Sequence, residues 1–540
     1  MNKLIHRGSL AATAAIAVVL AAATGASAAD TVDRLGGGDR IDTAIAASKD
    51  IYPDTEANNS KASYVVVARY DVYADALAAT PLAEVAGNAP ILLTQPGKGL
   101  DDRVLAEIKR LNAENGDAAL RVIIAGSEKG AVSTAAEQEL VSAVGSANVF
   151  RVGGKDRYET ATLIADVIKT GKIGSTTLPG VSAIPTPKVY LARGDDFADA
   201  LAAGAAAAQQ GGVVLLTKGD SLEFFTGDYF NNNAVASANV VAVGGSAVTA
   251  AGAKAGVKLS GVDRYETAKL VAETFTAGSR DTAALASGQD FPDAVVAGAW
   301  AAANDAPVLL TKAAETSPFT TVYLTANGNA DVTVFGLTGA VTKGVEDAVK
   351  ATLGATPVSG AFATSTSDAA RTLTVNSTPS AKLTVSTKAG AVVASQTADT
   401  DNQTVVTFKS GVPAGEVLIL SAVATNGAET AVFIEAPVVL SADAAKVTTD
   451  AIKITGKATP GAKVTIAGSN VAWVKNATVT AATNGVYTFE VKDAETDIAV
   501  GDYSITATLE GAPDALPVTV KVELAPAPVQ TSAPAGTPAG

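Results

Sequence analysis

One short motif occurs three times in this chain of 540 residues, and its spacing limits the fold more than any other feature. Residues 36–44 read GGGDRIDTA, residues 152–161 read VGGKDRYETA and residues 260–268 read SGVDRYETA. A catalytic residue is usually needed once, whereas a motif that recurs roughly every hundred residues marks a repeated structural unit or three equivalent binding points. The sequence therefore predicts three copies of one fold.

Each copy continues with the same order of elements. A helical pattern follows the motif. A first apolar run then leads into a turn that carries carboxylates. A second apolar run comes next, and a third is followed by a closing helix. The second run is the clearest, and it reads APILLT, GVVLLT and APVLLT at residues 89–94, 212–217 and 306–311. Continuous Val, Ile and Leu runs between helical patterns are typical of parallel strands covered by helices on both faces. We predict α/β repeats at residues 29–147, 148–256 and 257–355.

Two sets of polar residues recur at matched positions. We expect the carboxylate that begins the helix after the first strand to cap exposed N–H groups there. We expect the threonine of the motif to lie early in a helix, where a small residue allows close packing. These residues are Asp75, Asp199 and Asp293, and Thr43, Thr160 and Thr267.

The first 28 residues have the composition of a secretory signal. Lys3 and Arg7 precede an apolar stretch that is short for a transmembrane helix, and residues 26–28 read ASA, which suits cleavage. No later stretch approaches the length of a membrane span. The protein is predicted to be secreted, without membrane insertion after removal of the signal.

The composition excludes several kinds of active site. The only histidine is His6, which lies in the signal, and the chain has no cysteine. Nucleophilic triads that need histidine or cysteine are therefore excluded, as are zinc or copper sites with nitrogen and sulfur ligands. Only oxygen-ligand sites for Ca²⁺ or Mg²⁺ stay open. No cofactor is predicted, and a role for Ca²⁺ is left open.

The charge also limits the partners. The formal net charge is −14, and removal of the signal makes it more negative by two because two cations are lost. Such an acidic protein is not expected to bind nucleic acid through bulk electrostatics. An anionic ligand would need local basic pockets, backbone donors or bridging cations.

The combined pattern of the motif, the DALAA-type helix start and the ILLT-type strand resembles the cell wall binding repeat 2 family of Gram-positive surface proteins. The resemblance covers about residues 32–352. It implies three Rossmann-like repeats around a pseudo-threefold axis, and non-covalent binding to an anionic secondary polymer of the cell wall. It also places the ILL-type strand residues at the polymer: Ile91, Leu92, Leu93, Val214, Leu215, Leu216, Val308, Leu309 and Leu310.

Further polymer-binding candidates come from the residues themselves. Arg69 and Arg193 directly follow an apolar strand, where α/β folds bind their ligands, and the loop that they begin reaches a helix N-terminus. The threonines that end the ILLT-type strands have hydroxyls that can donate hydrogen bonds: Thr94, Thr217 and Thr311.

The arginines of the triple motif have two interpretations. Each guanidinium either pairs with a carboxylate of its own or the next repeat, which fixes the arrangement of repeats, or binds a phosphate or uronate of the polymer. We favour the structural role, because an aspartate precedes each arginine. These residues are Arg40, Arg157 and Arg264.

The three copies differ at a few of these positions. The third copy has Ser287 and Gln289 where the second has Arg193 and Asp195. The first copy has Ile41 and Asp42 where the others have Tyr and Glu. The three repeats need not bind equally.

The last third of the chain has a different composition, with Thr and Val alternating between Gly-, Asn- and Asp-bearing turns. This pattern predicts two all-β Ig-like sandwiches, at residues 356–436 and 437–524. Residues 525–540 are rich in Pro and Ala and are predicted to be a disordered tail.

The leading interpretation is a secreted, non-enzymatic surface protein held at the cell wall by its repeats. Two alternatives stay open: a subunit of an S-layer lattice, and a wall-remodelling hydrolase that uses carboxylates alone. A dinucleotide site is not expected, because no copy has G-x-G-x-x-G between a strand and a helix. The sequence does not identify the polymer, the oligomeric state or the partner of the β-domains.

Overall fold

The computed structural model describes most of the chain between residues 31 and 522. The described ranges are 31–54, 61–115, 119–129, 131–275, 281–327, 331–355, 357–362, 371–400, 403–408, 411–443, 446–447, 452–468, 477–491, 501–515 and 517–522. The predicted signal (1–28) and the predicted tail (525–540) lie outside them. No helix within these ranges is long and apolar enough to cross a membrane.

The three predicted repeats fold into alternating strands and helices. The first contains β1 (Thr31–Leu35), α1 (Arg40–Ile51), β2 (Tyr64–Arg69), α2 (Ala74–Val85), β3 (Ile91–Thr94), α3 (Asp102–Glu114), β4 (Arg121–Ala125) and α4 (Thr134–Val144). The second contains β5 (Val149–Val152), α5 (Arg157–Thr170), β6 (Lys172–Ile173), β7 (Thr176–Thr177), β8 (Lys188–Arg193), α6 (Ala198–Gln209), β9 (Gly212–Lys218), β10 (Ser221–Leu222), α7 (Phe224–Asn233), β11 (Val240–Val243) and α8 (Gly245–Ala251). The third contains β12 (Val257–Leu259), α9 (Arg264–Ala272), β13 (Thr282–Ser287), α10 (Pro292–Ala303), β14 (Val308–Thr311), α11 (Pro318–Asn327), β15 (Asp331–Phe335) and α12 (Lys343–Leu353).

The rest of the described chain is all-β. The first group of strands is β16 (Ser359–Phe362), β17 (Thr372–Asn376), β18 (Lys382–Thr387), β19 (Val392–Thr397), β20 (Gln403–Thr407), β21 (Val417–Val423) and β22 (Glu429–Glu435). The second is β23 (Leu440–Ala442), β24 (Lys446–Val447), β25 (Ile452–Ala458), β26 (Lys463–Ala467), β27 (Thr478–Thr480), β28 (Val486–Val491), β29 (Gly501–Thr508) and β30 (Val518–Val522). Each group forms two antiparallel sheets around its own apolar core.

The three repeats build three parallel sheets with one strand order. The orders are β3-β2-β4-β5, β9-β8-β11-β12 and β14-β13-β15-β1, with β10 added antiparallel at the edge of the second sheet. In the first sheet β2 lies between β3 and β4, although β3 is the strand that follows β2 in the chain. The other two sheets have the same arrangement. The chain therefore reverses its direction of winding between β2 and β4, and at the matching place in the other two sheets. Such a reversal leaves a crevice at the carboxyl ends of the strands.

Each sheet is completed by a strand from the following copy of the sequence. Strand β5 precedes the second motif but pairs with β4, and β12 precedes the third motif but pairs with β11. Strand β1 precedes the first motif and pairs in parallel with β15, from Thr31 opposite Asp331 to Leu35 opposite Phe335. The sequence repeat and the sheet are thus offset by one strand, and the first strand of the described chain closes the set of three.

Three alanine-rich helices occupy the centre. Helices α2, α6 and α10 contact one another, and most of their residues are buried. Thr80, Gly204 and Gly298 meet where these helices come together, and a Cβ added at Gly204 would lie 3.2 Å from Thr80. Small side chains set a short distance between helix axes. This explains how a chain with 5% aromatic residues forms a dense core.

A polar contact between a half-buried aspartate and a buried threonine recurs at each seam between repeats. Asp75 in α2 lies near Thr160 of the second repeat, and Asp199 in α6 lies near Thr267 of the third, and each threonine lowers the pKa of its aspartate. Asp293 in α10 has the same relation to Thr43 of the first repeat, which completes the cycle. The expectation that these aspartates cap their own helices is wrong in position, because the N-cap residues are aromatic and each aspartate is the second residue of its helix.

The first all-β group is docked on the third repeat. Phe319 and Val322 of α11 pack against Ile419 and Ala431 of the β-group. The Thr352 hydroxyl, in α12, donates a hydrogen bond of 2.8 Å to the backbone carbonyl of Glu429. The β-group is therefore held by an apolar contact and by polar contacts, in addition to the chain connection.

The close packing around the seam carboxyl Asp199 can be tested by a substitution at a neighbouring glycine. Gly244 has φ +87°, and an added Cβ would lie 1.9 Å from Oδ2 of Asp199. Gly219 has φ +51°, but nothing lies within 4 Å of its added Cβ. We expect Gly244→Ala to lower the free energy of unfolding by about 2 kcal/mol more than Gly219→Ala, because only the former adds a clash to the backbone strain. Urea titrations of both variants measure the difference, and equal losses would contradict the packing described here.

Candidate functional site

A cleft of about 210 Å³ lies at the carboxyl edge of the first sheet, where the winding reverses. Arg69 at the end of β2 and Ser127 after β4 form one side. The other side is the start of the second repeat, from Gly154 to Thr160. The cleft thus lies at a seam, between the strand ends of one repeat and the first turn of a helix of the next.

The aspartate of the motif begins the helix. The Asp39 carboxylate accepts hydrogen bonds from the backbone N–H groups of Ile41 and Asp42, at 2.9 and 3.0 Å. Asp156 and Asp263 accept the equivalent pairs. The motif is therefore a helix N-cap written three times, with the threonine four residues later directed to the seam.

The arginines of the motif hold the repeats together. Arg157 donates a 2.6 Å hydrogen bond to the carbonyl of Gly194, and its guanidinium lies 5.4 Å from the ring centre of Tyr73 in the preceding repeat. Arg264 and Arg40 repeat the arrangement on the rings of Phe197 and Phe291, at 5.5 and 5.6 Å. Each arginine thus packs on an aromatic ring across a seam. Their expected carboxylate partner is mostly replaced by this ring, with Arg264 alone reaching a carboxylate, that of Asp196, at 4.0 Å.

The three rings themselves form one cluster. Tyr73, Phe197 and Phe291 lie 5.4 to 5.9 Å apart between ring centres and stand at the N-termini of α2, α6 and α10. The sequence analysis missed this cluster. An aromatic residue two positions before each of Asp75, Asp199 and Asp293 was the available signal.

The strand residues assigned to the polymer are in the core. The nine apolar side chains of the ILL-type strands have exposed fractions of 0 to 2%, so they cannot contact a ligand outside the fold. The structure contradicts their assignment as contact residues, because both faces of each sheet are covered by helices. The residues concerned are Ile91, Leu92, Leu93, Val214, Leu215, Leu216, Val308, Leu309 and Leu310.

The threonines at the ends of these strands are buried as well. The Thr217 hydroxyl donates to the carbonyl of Gly219 at 2.8 Å, and the Thr311 hydroxyl donates to the carbonyl of Glu315 at 3.0 Å. The Thr94 hydroxyl accepts from the N–H of Asp101 at 3.4 Å. Their hydroxyls hold the following loops, which corrects the expectation that they face a polymer.

Arg69 and Arg193 do lie at the surface of the strand ends, as predicted. Each forms a two-bond ion pair with the aspartate two residues later, at 2.7 and 2.8 Å for Arg69 with Asp71 and at 2.9 Å twice for Arg193 with Asp195. The guanidinium of Arg69 holds the pKa of Asp71 below its usual range, and that of Arg193 does the same for Asp195. These pairs are ordered edges of the clefts, and whether they bind a polymer stays a prediction.

The first cleft carries the most cations. Its lining includes three cations, Arg69, Lys155 and Arg157, beside two carboxyls, Asp75 and Asp156. The matched positions are Arg193, Val262 and Arg264 in the second copy, and Ser287, Gly38 and Arg40 in the third. The apolar Val72 of the first cleft is replaced by Asp196 and Asp290 in the others. At these matched positions the first copy therefore carries the most positive charge and the third copy the least.

The seam carboxyls have raised pKa values. Burial, together with the nearby charge of Asp196, raises the pKa of Asp199 to about 6. Burial also raises the pKa of Asp75 and of Asp293. The same electrostatic cost thus recurs at all three seams, because each carboxyl lies between packed repeats.

The chain matches one family of known domains over its three repeats. The family described as Cell wall binding domain 2 (CWB2) matches residues 34–137, 151–253 and 258–346, which is just over half of the chain. Among solved structures the chain is similar to Cwp6 from Clostridium difficile, with 27% identity and a TM-score of 0.50 over 62% of this chain and 51% of that one.

Two curated relatives come from Bacillus subtilis (strain 168). The N-acetylmuramoyl-L-alanine amidase LytC is 28% identical over 327 residues, which are 60% of this chain and 59% of the relative. The amidase enhancer is 30% identical over 190 residues, 35% of this chain and 22% of the relative. The chain thus spans only part of each relative.

Asp199→Asn tests the seam carboxyl. A raised pKa means that protonated Asp199 stabilises the fold fully below about pH 4, the unfolded value, and that this contribution is lost as the pH rises through about 6. An amide does not titrate. The variant is therefore expected to gain about 1–3 kcal/mol in unfolding free energy relative to the wild type between pH 4.5 and pH 7.5.

Urea unfolding at pH 4.5, 6 and 7.5 measures this gain. Asp228→Asn, at an exposed carboxylate of α7, is the matched control and should follow the wild type at each pH. A constant difference between Asp199→Asn and wild type over this range would contradict the prediction.

Proposed function

Because the chain belongs to the Cell wall binding domain 2 (CWB2) family, we propose that it is a secreted, non-catalytic surface protein that binds an anionic cell wall polymer through its three α/β repeats. The observation that carries the proposal is the family match over all three repeats, together with a cleft that holds three cations at the seam between two of them. We further propose that the repeats are arranged as three Rossmann-like units about a pseudo-threefold axis. The cyclic seam contacts and the closing strand β1 support this arrangement.

The geometry favours binding over reaction. The two arginines of the first cleft are held in place before a ligand binds. Arg69 is fixed by its ion pair with Asp71, and Arg157 by a backbone carbonyl and an aromatic ring. Preorganised donors reduce the cost of binding an anion. The seam aspartates are buried against backbone and threonine, and they are placed to hold the repeats together.

The curated relative LytC, an amidase, gives the enzymatic alternative a specific basis. In this chain the only histidine lies in the predicted signal, so a mature enzyme would depend on carboxylates. Zymography on peptidoglycan distinguishes the two proposals, and a clearing zone would favour the hydrolase. Assembly into an S-layer lattice stays a separate prediction, for which electron microscopy of the cell surface is the test.

Cell wall binding is tested by a pull-down with walls of the organism that encodes the chain. We expect the protein to sediment with intact walls and to stay in solution with walls from which secondary polymers have been stripped by hydrofluoric acid. The bound fraction should fall with rising salt, because the contact is between cations and an anionic polymer. Undiminished binding to stripped walls would contradict the proposal.

A further inference from the structure

The second repeat carries an exposed aromatic side chain beside the first cleft. Phe224, the first residue of α7, is 68% exposed. Its ring centre lies 5.4 Å from that of Phe225, which is half-buried. The ammonium of Lys155, in turn, lies 5.8 Å from the ring centre of Phe225 and lines the first cleft. Aromatic surface and cationic cleft are therefore continuous.

This combination occurs in one repeat only among those that the structure describes. The residues matching Phe224 and Phe225 are Asp102 and Arg103 in the first repeat, where Arg103 is paired with three aspartates. In the third repeat the residue that matches Phe225 is Phe319, which is 3% exposed because the first all-β group covers it. The start of this helix is thus covered by the first all-β group in the third repeat, whereas no described part of the chain covers Phe224 in the second.

The amine of Lys155 has an unusual position for an exposed lysine. In the described part of the chain no carboxylate forms an ion pair with it, and its ammonium packs on an aromatic face. That contact holds the charge at the mouth of the cleft. In the second copy the matched residue is Val262, and in the third it is Gly38. Lysine at this position is specific to the cleft that adjoins the uncovered ring.

We propose that Phe224, Phe225 and Lys155 form, with the first cleft, the principal glycan-binding subsite of this protein. The ligand is an acidic glycan: its phosphate or carboxylate lies in the cleft against Lys155 and Arg157, and a neighbouring sugar ring stacks on Phe224. Sugar rings present C–H groups on one face, which pack favourably against the electron-rich face of an aromatic ring. The inference rests on the proposed function, since it names the place where the polymer binds.

Charge complementarity favours a glycan over a second copy of this chain at this surface. The protein as a whole carries a net charge of −14, so two copies repel, whereas the first cleft is lined by three cations and two carboxyls, Asp75 and Asp156, of which Asp156 is occupied by helix N–H groups. In addition, the helix residue that makes the apolar contact with the β-group in the third repeat is Val322, and its counterpart in α7 is the charged Asp228. The docking seen in the third repeat is thus not reproduced in the second.

The test uses the full chain and two variants, Phe224→Ala and Lys155→Val, the latter introducing the residue of the second cleft. The probe is the polysaccharide released from walls of the encoding organism by muramidase digestion, which leaves phosphodiesters intact, titrated by calorimetry, with wall pull-down in parallel. We expect each variant to lower affinity about three- to tenfold, and Phe224→Tyr to retain wild-type affinity because its ring can still stack. Lys155→Val should also reduce the salt dependence of binding.

Two matched controls show whether removing any exposed apolar side chain or any exposed cation would have the same effect on binding. Val392→Ala removes another exposed apolar side chain, 60% exposed on β19, and Lys109→Ala removes an exposed cation of α3 that does not line the cleft. Both should bind as wild type does, and all variants should unfold at the wild-type temperature because the positions are exposed.

The outcomes are distinguishable. If the wild type binds the walls and both test variants bind equally well, the subsite proposal is overturned and the proposed function stands. If the wild type binds neither walls nor polysaccharide, the proposed function fails, and the subsite with it. If Phe224→Ala changes only the sedimentation of the protein alone, the surface joins copies of the chain and the glycan assignment is overturned.

Discussion

The exchange of one strand between successive repeats is the constraint on which the rest of the structure depends. Because each parallel sheet takes its last strand from the next copy of the sequence, no copy can complete its sheet alone. Strand β1 supplies the third sheet with its edge and thereby joins residues separated by 300 positions. The cleft at the first seam is lined by residues of two copies, so one repeat alone cannot form it.

The repeated motif is explained by these seams. Its aspartate starts a helix, its arginine packs on an aromatic ring of the preceding repeat, and its threonine meets a buried carboxyl of that same repeat. All three contacts of the second motif are directed at the first seam, and the other two motifs repeat them. A chain that closes on itself needs one such set at each seam, which is why the motif occurs three times.

Much of this fold could be predicted from the sequence, because period and apolar runs determine parallel strands and covering helices. Membership of the cell wall binding family was predicted and is confirmed by the match over three segments. The site was predicted less well. The resemblance to the family placed the ILL-type runs at the polymer, yet an apolar run with no polar alternation is buried on both faces of its sheet. The seam partners of Asp75 and Arg157 were not visible, because they join residues that are distant in the chain.

The three seams have the same packing contacts but carry different charges. The packing contacts and the charges are constrained in different ways. Positions that close the set, such as Asp199 with Thr267, face neighbours on every side, and a change there disturbs two repeats. Positions at the cleft mouth, such as Lys155, Val262 and Gly38, face solvent and can change without affecting the fold. A repeated architecture therefore keeps the same contacts at each seam while the charge of the exposed positions differs between copies. In this chain the cations and the uncovered aromatic ring are found at the same cleft, which is where selection for binding would leave them.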